Sequence, residues 1–334
     1  MSVKQNFRSL LLVSTACAFF AACSDTSISS PGGLDVGTPP GGGGGGGGGG
    51  GSATTIDMVP AGGCGTGSVR EASITNNDIT INACEITGTI SSNTEIAAGA
   101  GVIITGPTFV GTDGGTPVNL TINEGVTLFG SSGGDYLVVA RGNELNAVGT
   151  AADPIIFTSR TDVEGNTGAN DKGQWGGLVI NGFAPINACT GAAVGGAADC
   201  TKSGEGSSGL FGGDQPADSS GELRYVQVRF AGFRLNSGDE LNGIAFQGVG
   251  SGTDVNFIQV HNNADDGVEM FGGTVDLRYV VLTGNDDDSM DYTDGWRGRA
   301  QYVLVDQGPS GDQGFEFDNN GDDNAQNNTP RSNP

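Results

Sequence analysis

The chain has 334 residues, of which 62 are glycine, 38 acidic, 14 basic and one histidine, and its formal net charge is −24. Nucleic-acid binding needs a basic footprint, so we predict no nucleic-acid partner and expect the chain to attract cations. Glycine is abundant without a triplet period, which excludes collagen, and one histidine excludes metal sites built from several histidines.

The N-terminus has the parts of an exported lipoprotein. Lys4 and Arg8 form a basic segment, an apolar run follows from 10 to 22, and the small residues at its end precede Cys23. The run is too short to span a bilayer as a helix and is typical of a secretory signal. We therefore predict a lipoprotein signal peptide at 1–22 and a lipid anchor on Cys23.

Two details of this segment affect where the protein is sent. Ser24 rather than Asp follows the cysteine. By resemblance to other bacterial lipoproteins this favours the outer over the inner membrane, with the protein at the cell surface or the periplasmic face. Several acyl chains on one cysteine anchor a protein stably. There are two alternatives to this prediction. One is an ordinary cleaved signal peptide in which Cys23 occurs by chance, and the other is cleavage before Cys17.

Residues 23–55 form a predicted tether. They are mostly Ser, Thr, Gly and Pro and include an unbroken glycine run from 41 to 51. Such a segment cannot bury a core and behaves as a flexible coil with a span on the order of 30 Å. The folded domain is predicted to occupy 56–334.

Four further cysteines are predicted to form two disulfides in an exported protein: Cys64, Cys84, Cys189 and Cys200. Sequence proximity favours the pairs Cys64–Cys84 and Cys189–Cys200. A metal site is the alternative, but the cysteines have no CxxC spacing and no nearby histidine.

An internal repeat defines the fold class. Short stretches beginning at Gly243, Gly267, Ser289 and Gly314 align with one another, and a second set beginning at 225, 257, 279 and 302 interleaves with them. Each repeat holds strands and polar turns, which is typical of a β-solenoid coil. We predict an all-β, right-handed parallel β-helix with about 22–25 residues per coil. Leucine-rich repeats need a fixed Leu and Asn pattern that is missing here, and a propeller blade needs a longer repeat of about 40 residues.

The repeat also predicts an insertion and the residues of the bore. Residues 187–220 do not follow the repeat and are predicted to be an insertion loop from one coil. In the second strand set, alternate Val, Ile and Leu residues are predicted to fill the bore: Val226, Val228, Ile258, Val260, Val280, Leu282, Val303 and Val305.

Several uncommon strings, among them "NLTINEGVTLFG", "KGQWGGLVINGFAPIN" and "DDGVEMFGGTVDLRYVVLTGNDDDSMDYTDGW", resemble a family of exported Gram-negative proteins. These have pectin-lyase-like, right-handed parallel β-helix folds and are often lipoproteins. The resemblance covers about 90–334. It implies fold and location, carries over no catalytic residues, and implies that the chain continues past Pro334.

Acidic turns precede the repeated strands, and Glu269, Asp291 and Glu316 occupy equivalent outward positions in successive coils. Stacked carboxylates repel unless their pKa values rise or cations bind, and clustered oxygens suit Ca²⁺. The predicted ligands are Asp265, Asp266, Asp287, Asp288, Asp291, Asp318 and Asp322. The alternative is a solvated row of Asn and Asp turn residues.

An outward aromatic stripe is predicted on the parity opposite to the bore residues: Tyr225, Phe257, Tyr279 and Tyr302. Such platforms suit carbohydrate or protein ligands. The alternatives are packing beneath a neighbouring loop or stacking inside the bore.

These features favour a non-enzymatic binding or adhesive module on the outer membrane, with no predicted catalytic residue. The leading rival is a calcium-dependent polysaccharide lyase or glycoside hydrolase. For a lyase, Asp287, Asp288 and Asp291 would act with Arg297 or Arg299. A structural envelope component is the third hypothesis.

Overall fold

The computed structural model describes residues 53–236, 239–321 and 329–333. The predicted signal peptide, Cys23 and the predicted tether up to 52 therefore lie outside the described residues, as does Asp322 of the predicted ligand set. Within the described part, the first strand begins at Thr54, so the last two residues of the predicted tether belong to a strand. No helix in the described part is long and apolar enough to cross a membrane.

The described residues are almost all strand and turn, because Val, Ile, Thr and aromatic residues alternate with Gly, Asn and Asp. The first thirteen strands are β1 (Thr54–Asp57), β2 (Gly65–Thr66), β3 (Arg70–Asn76), β4 (Ile79–Ile86), β5 (Thr89–Ile90), β6 (Thr94–Ile96), β7 (Gly101–Ile104), β8 (Thr108–Val110), β9 (Asn119–Ile122), β10 (Thr127–Gly130), β11 (Tyr136–Val139), β12 (Glu144–Val148) and β13 (Ile155–Ser159). The remaining strands are β14 (Gly177–Asn181), β15 (Lys202–Ser203), β16 (Leu210–Phe211), β17 (Gly221–Arg229), β18 (Arg234–Asn236), β19 (Asp239–Glu240), β20 (Ile244–Gln247), β21 (Asp254–His261), β22 (Val268–Phe271), β23 (Asp276–Thr283), β24 (Met290–Thr293), β25 (Ala300–Asp306) and β26 (Phe315–Phe317). The helical turns are α1 (Arg160–Val163) and a 3₁₀ turn (Glu205–Ser207).

Two large sheets wind into a right-handed parallel β-helix, which confirms the predicted fold class. Sheet 1 has eight parallel strands in the order β5-β8-β11-β14-β20-β22-β24-β26. Sheet 2 has fourteen strands, and its β17 pairs with both β12 and β13. The long strands β17, β21, β23 and β25 therefore each run along two faces of the solenoid, and a coil has three faces in all.

The long strands bend at one residue each. In β17, Leu223 pairs with Ala147 of β12, whereas Val226 pairs with Ile155 of β13. The residue at the bend has a left-handed backbone, with φ between 50° and 62°, at Tyr225, Phe257, Tyr279 and Tyr302. This conformation is unusual for aromatic residues, so the surrounding pairing must impose it.

The bore is filled by stacked aliphatic side chains, as predicted. Val226, Ile258 and Val280 occupy one row, each at most 1% exposed, and Val303 extends the row on β25. Val303 and Val305 pack against this core from the last described coil. Burying each such side chain contributes about 1.5–3 kcal/mol, so the stacked rows are the main stabilising element of the solenoid.

The predicted coil length is found in the last coils and also between β9 and β12, where Asn119 pairs with Glu144. Ala245, Glu269, Asp291 and Glu316 are in register at the predicted interval, each one coil after the last. Earlier coils are more variable: Val179 pairs directly with Ala245, although the whole stretch 187–220 lies between them in the chain. Where an insertion such as 187–220 lengthens a turn, the coil contains more residues than the repeat interval, while the strands keep their register.

The predicted insertion at 187–220 lies over the outer face of sheet 1. It contains the antiparallel pair β15–β16 and the Cys189–Cys200 disulfide. Its Phe211 is buried in a cluster with Val179 and Ala245, which point outward from sheet 1. The second predicted disulfide, Cys64–Cys84, joins the N-terminal segment to β4. Both predicted disulfides are thus present.

Candidate cation site on sheet 1

Three strands of sheet 1 carry one acidic residue each on the outer face. Glu269 of β22 pairs with Asp291 of β24, which pairs with Glu316 of β26. The residues beside them in sequence, such as Val268 and Met290, point into the bore and are buried. Because adjacent parallel strands are about 4.8 Å apart, the register alone stacks three carboxyl groups in a row.

The turns that lead into these strands add further carboxyl groups. Asp265 and Asp266 precede β22, and Asp287 and Asp288 precede β24. The turns are locked to one another, since the backbone N–H of Asp288 donates to Asp266 Oδ1 at 2.9 Å. In the same way the N–H of Gln313 donates to Asp288 Oδ1 at 2.7 Å. Each of these carboxylates therefore retains a second oxygen for another partner.

The carboxyl oxygens of these residues converge into three groups, within each of which the candidate ligand atoms lie within 4.8 Å of one another. The groups are Asp265, Asp266 and Asp287; Asp266, Glu269 and Asp291; and Asp287, Asp288 and Asp312. Asp266 and Asp287 each belong to two groups. We name these seven residues together the acidic cluster.

The cluster perturbs the ionisation of its members. Burial, with repulsion from the charge of Asp265, raises the pKa of Asp266 to about 9. Burial also raises the pKa of Asp265 to about 7, with repulsion from Glu240, and that of Asp291 to about 7, with repulsion from Glu316. Without bound cations, part of the cluster is therefore protonated at neutral pH.

Carboxyl groups of adjacent coils also share hydrogen bonds. Burial and then a hydrogen bond with Glu316 raise the pKa of Asp288 to about 6. Glu269 hydrogen-bonds Asp291, and burial raises the pKa of Glu269 well above its usual range. Such carboxyl–carboxylate pairs hold a proton where a cation would otherwise sit.

A buried amide adjoins the cluster. Asn242 is 3% exposed, and its Nδ2 donates to Glu269 Oε2 at 2.6 Å. Its Oδ1 is buried and has no hydrogen-bond partner among the described residues. A buried acceptor without a partner is costly, and amide oxygens are ordinary Ca²⁺ ligands. The amide thus adds a neutral oxygen next to the carboxyl oxygens.

The hairpin β18–β19 brings one basic residue near the cluster. Arg234 pairs with Glu240 across the hairpin, with Nη2 and Oε1 2.5 Å apart. Burial raises the pKa of Asp265 and that of Asp287, the negative charge of Glu240 raises both further, and the positive charge of Arg234 offsets part of the rise. Arg299, which the lyase hypothesis placed beside the Asp residues, instead makes a bidentate ion pair with Asp276 of sheet 2.

The structure brings together five of the predicted metal ligands: Asp265, Asp266, Asp287, Asp288 and Asp291. Asp318 is in none of the three groups, and its Oδ1 accepts from Thr293 Oγ1 at 2.5 Å. Burial is the main cause of the raised pKa of Asp291, and the charge of Asp318 adds to it. Glu269 and Asp312 join the cluster although the predicted ligand set omitted them. Glu269 could have been found from the alternation of inward and outward residues along β22, and Asp312 from its position in the repeated acidic turn.

The predicted aromatic residues form a stack along the bends of sheet 2. Ring centroids are 4.6, 4.4 and 4.8 Å apart along the row Tyr225, Phe257, Tyr279 and Tyr302. Exposure reaches 39% at Tyr279 and 58% at Tyr302. The row lies outside the bore, as predicted. The prediction used the alternation of side chains along a regular strand, but the left-handed bend at each of these residues interrupts that alternation. Stacking covers both faces of Phe257 and Tyr279, whereas Tyr225 and Tyr302, at the two ends of the row, each stack on one neighbour in it.

These features define a parallel β-helix protein with a carboxyl-rich outer face on one sheet. The model of one protein family, described as the pectate-lyase-like β-helix domain, matches residues 88–334. The chain belongs to this family. Among curated proteins and among solved structures, nothing matches it.

Proposed function

We propose that this protein is an outer-membrane-anchored lipoprotein whose β-helix is a non-enzymatic binding or adhesive module, with Ca²⁺ bound in the acidic cluster. Asp266, Glu269 and Asp291 provide the central ligands, with Asp265, Asp287, Asp288 and Asp312 on the flanks. The bound cation would hold successive coils together and would present its open coordination positions to carbohydrate or protein ligands.

The observation that carries the cation proposal is the convergence of seven carboxyl groups in the described part of the chain, two of which, those of Asp266 and Asp288, belong to buried residues. Asp266 belongs to two groups of possible ligands, and its pKa is raised to about 9. The unpartnered Oδ1 of Asn242 is a second, independent indication, since it lies on an amide that already contacts Glu269. Hard oxygen ligands from carboxylates and amides suit Ca²⁺ better than softer metals.

Anchoring is supported by the sequence alone. Cys23 follows small residues at the end of an apolar run, and a glycine-rich segment separates it from the first strand at Thr54. A Cys23→Ser variant is expected to lose incorporation of labelled palmitate and to leave the membrane fraction. Retention of label by Cys23→Ser would contradict the assignment of the lipidated residue.

Cation binding is tested by isothermal titration of the Cys23→Ser protein, after chelator treatment, with Ca²⁺, Mg²⁺ and Zn²⁺. We expect saturable Ca²⁺ binding that releases protons, because the cation displaces protons from carboxyl pairs. An Asp266→Asn/Asp291→Asn variant is expected to bind at least tenfold more weakly. The matched control, Asp254→Asn/Asp276→Asn, removes two carboxylates from sheet 2 and is expected to leave binding unchanged.

A calcium-dependent polysaccharide lyase or glycoside hydrolase is the second candidate. Protonated and ionised carboxyl groups lie side by side in the cluster, and the pKa of Asp265 and that of Asp291 are about 7, which suits a general acid. The test is incubation with neutral and acidic polysaccharides in Ca²⁺ and in chelator. Calcium-dependent release of new sugar ends would refute the non-enzymatic proposal. Retention on a polysaccharide without cleavage would support it. If the protein neither binds nor cleaves any polysaccharide, a protein partner or a structural role is favoured.

A further inference from the structure

The turn that leads into β20 is longer than the equivalent turns of the next two coils. It runs from 230 to 243, whereas the turns that lead into β22 and β24 occupy only 262–267 and 284–289. The additional residues form the hairpin β18–β19. The hairpin is therefore an extension of the same turn that carries paired aspartates in the later coils.

Both ends of the longer turn are hydrogen-bonded to the acidic turn of the next coil. The N–H of Ala264 donates to the carbonyl oxygen of Ala231 at 3.0 Å, and the N–H of Gly243 donates to the carbonyl oxygen of Asp266 at 2.9 Å. The hairpin thus leaves the solenoid and rejoins it directly beside Asp265 and Asp266 of the acidic cluster.

The hairpin carries an ion pair next to the cluster. Arg234 Nη2 and Glu240 Oε1 are 2.5 Å apart, and the Arg234 side chain is 66% exposed, so solvent screens the pair. The negative charge of Glu240 adds to the burial that raises the pKa of Asp265 and that of Asp287. Glu240 is in none of the three ligand groups, and its carboxylate is paired with Arg234 instead.

Apolar and polar contacts anchor the hairpin on both sides of this ion pair. Leu241 is 2% exposed in a core cluster on the outer face of sheet 1, and Leu235 packs against the same cluster. Asn242, two residues after Glu240, donates from Nδ2 to Glu269 Oε2 at 2.6 Å. The backbone at Glu240 is therefore held beside the cluster, and rotation about its side-chain bonds decides which partner its carboxylate has.

We propose, on the basis of the cation site proposed above, that Glu240 is an exchangeable ligand of that site. Arg234 holds its carboxylate before a cation binds, and a cation bound by Asp265 and Asp287 then takes the carboxylate over. Breaking an exposed ion pair costs little, whereas a divalent cation in contact with a carboxylate attracts it strongly. The hairpin thus regulates cation affinity from within the chain, since Glu240 raises the affinity and Arg234 lowers it.

The first test is isothermal titration of the Cys23→Ser protein with Ca²⁺ after chelator treatment. Glu240→Gln is expected to weaken Ca²⁺ binding about fivefold, because the site loses one charged ligand. Arg234→Gln is expected to strengthen it about threefold at low ionic strength, because Glu240 is then free to bind the cation. A gain in affinity is not the result of a merely disturbed fold. The matched controls are Asp276→Asn and Arg299→Gln, which break an exposed ion pair on sheet 2 and are expected to leave Ca²⁺ affinity unchanged.

The second test is a crystal structure of the same protein with Ca²⁺. We expect a carboxylate oxygen of Glu240 within about 2.3–2.6 Å of the cation and no ion pair between Glu240 and Arg234. Wild-type affinity in Glu240→Gln, no gain in Arg234→Gln, or a Glu240 that stays paired with Arg234 while Ca²⁺ is bound would overturn this proposal and leave the cation site standing. A wild-type protein that binds no Ca²⁺ would overturn both.

Discussion

Replacing Asp266 by Asn is expected to stabilise the protein in chelator and to destabilise it relative to wild type in Ca²⁺. In the folded state the pKa of Asp266 is about 9, and in the unfolded chain it is about 4. The folded state therefore holds a proton that the unfolded state releases. This contribution to stability is fully present below about pH 4 and is lost as the pH rises through about 9. Asn stays neutral and still offers Oδ1 to the Asp288 N–H.

The magnitude follows from the two pKa values. At pH 7 the cost of keeping Asp266 protonated has an upper limit of about 4 kcal/mol, at about 1.4 kcal/mol per pH unit. Coupling to neighbouring carboxyl groups makes the actual gain smaller than this limit, and each kcal/mol gained raises the melting temperature by about 2–4 °C. The assay is thermal unfolding from pH 5 to 9 in chelator and in Ca²⁺, with Asp254→Asn as the control on the same coil. A variant that melts lower than wild type at pH 8 in chelator would refute the reasoning.

Three further results are expected. Cys189→Ser/Cys200→Ser is expected to lose about 3 kcal/mol in chemical unfolding, since it opens a short loop, and an unchanged midpoint would contradict a stabilising role for this disulfide. Tyr279→Asn tolerates the left-handed bend but removes two stacked ring contacts, so we expect a loss of about 1–3 kcal/mol in the same assay; no loss would show that the stack is not stabilising. Arg299→Ala breaks the pair with Asp276 on sheet 2 and is expected to leave Ca²⁺ affinity unchanged in calorimetry, whereas a tenfold loss would return Arg299 to the acidic site.

The fold could be predicted from the sequence because its signal is repeated. The stretches beginning at Gly243, Gly267, Ser289 and Gly314 have the same alternation, and stacking equivalent residues is what a solenoid does. The coil length could be read only where insertions are absent. Val179 and Ala245 stay in register although the whole insertion at 187–220 lies between them, and no local sequence pattern predicts a pairing over such a distance.

The acidic cluster was only partly predictable, because some of its contacts join residues of different coils. Asp265, Asp266 and Asp291 follow from the repeat, because their spacing places them at equivalent turn and strand positions. The amide of Asn242 reaches Glu269 from the preceding coil, and only the three-dimensional register reveals that contact. The left-handed bend at Tyr225 was equally hidden, because aromatic residues rarely adopt it and alternation alone predicts an unbroken strand.

The most direct test of the central claim is a crystal structure of the Cys23→Ser protein grown in Ca²⁺, with anomalous difference density recorded at long wavelength. We expect a peak within about 2.3–2.6 Å of carboxylate oxygens of Asp266, Glu269 and Asp291, and loss of that peak after chelation. A cluster without a peak at saturating Ca²⁺, with its carboxyl groups still hydrogen-bonded in pairs, would contradict the claim and leave the acidic face as protonated turns of the solenoid.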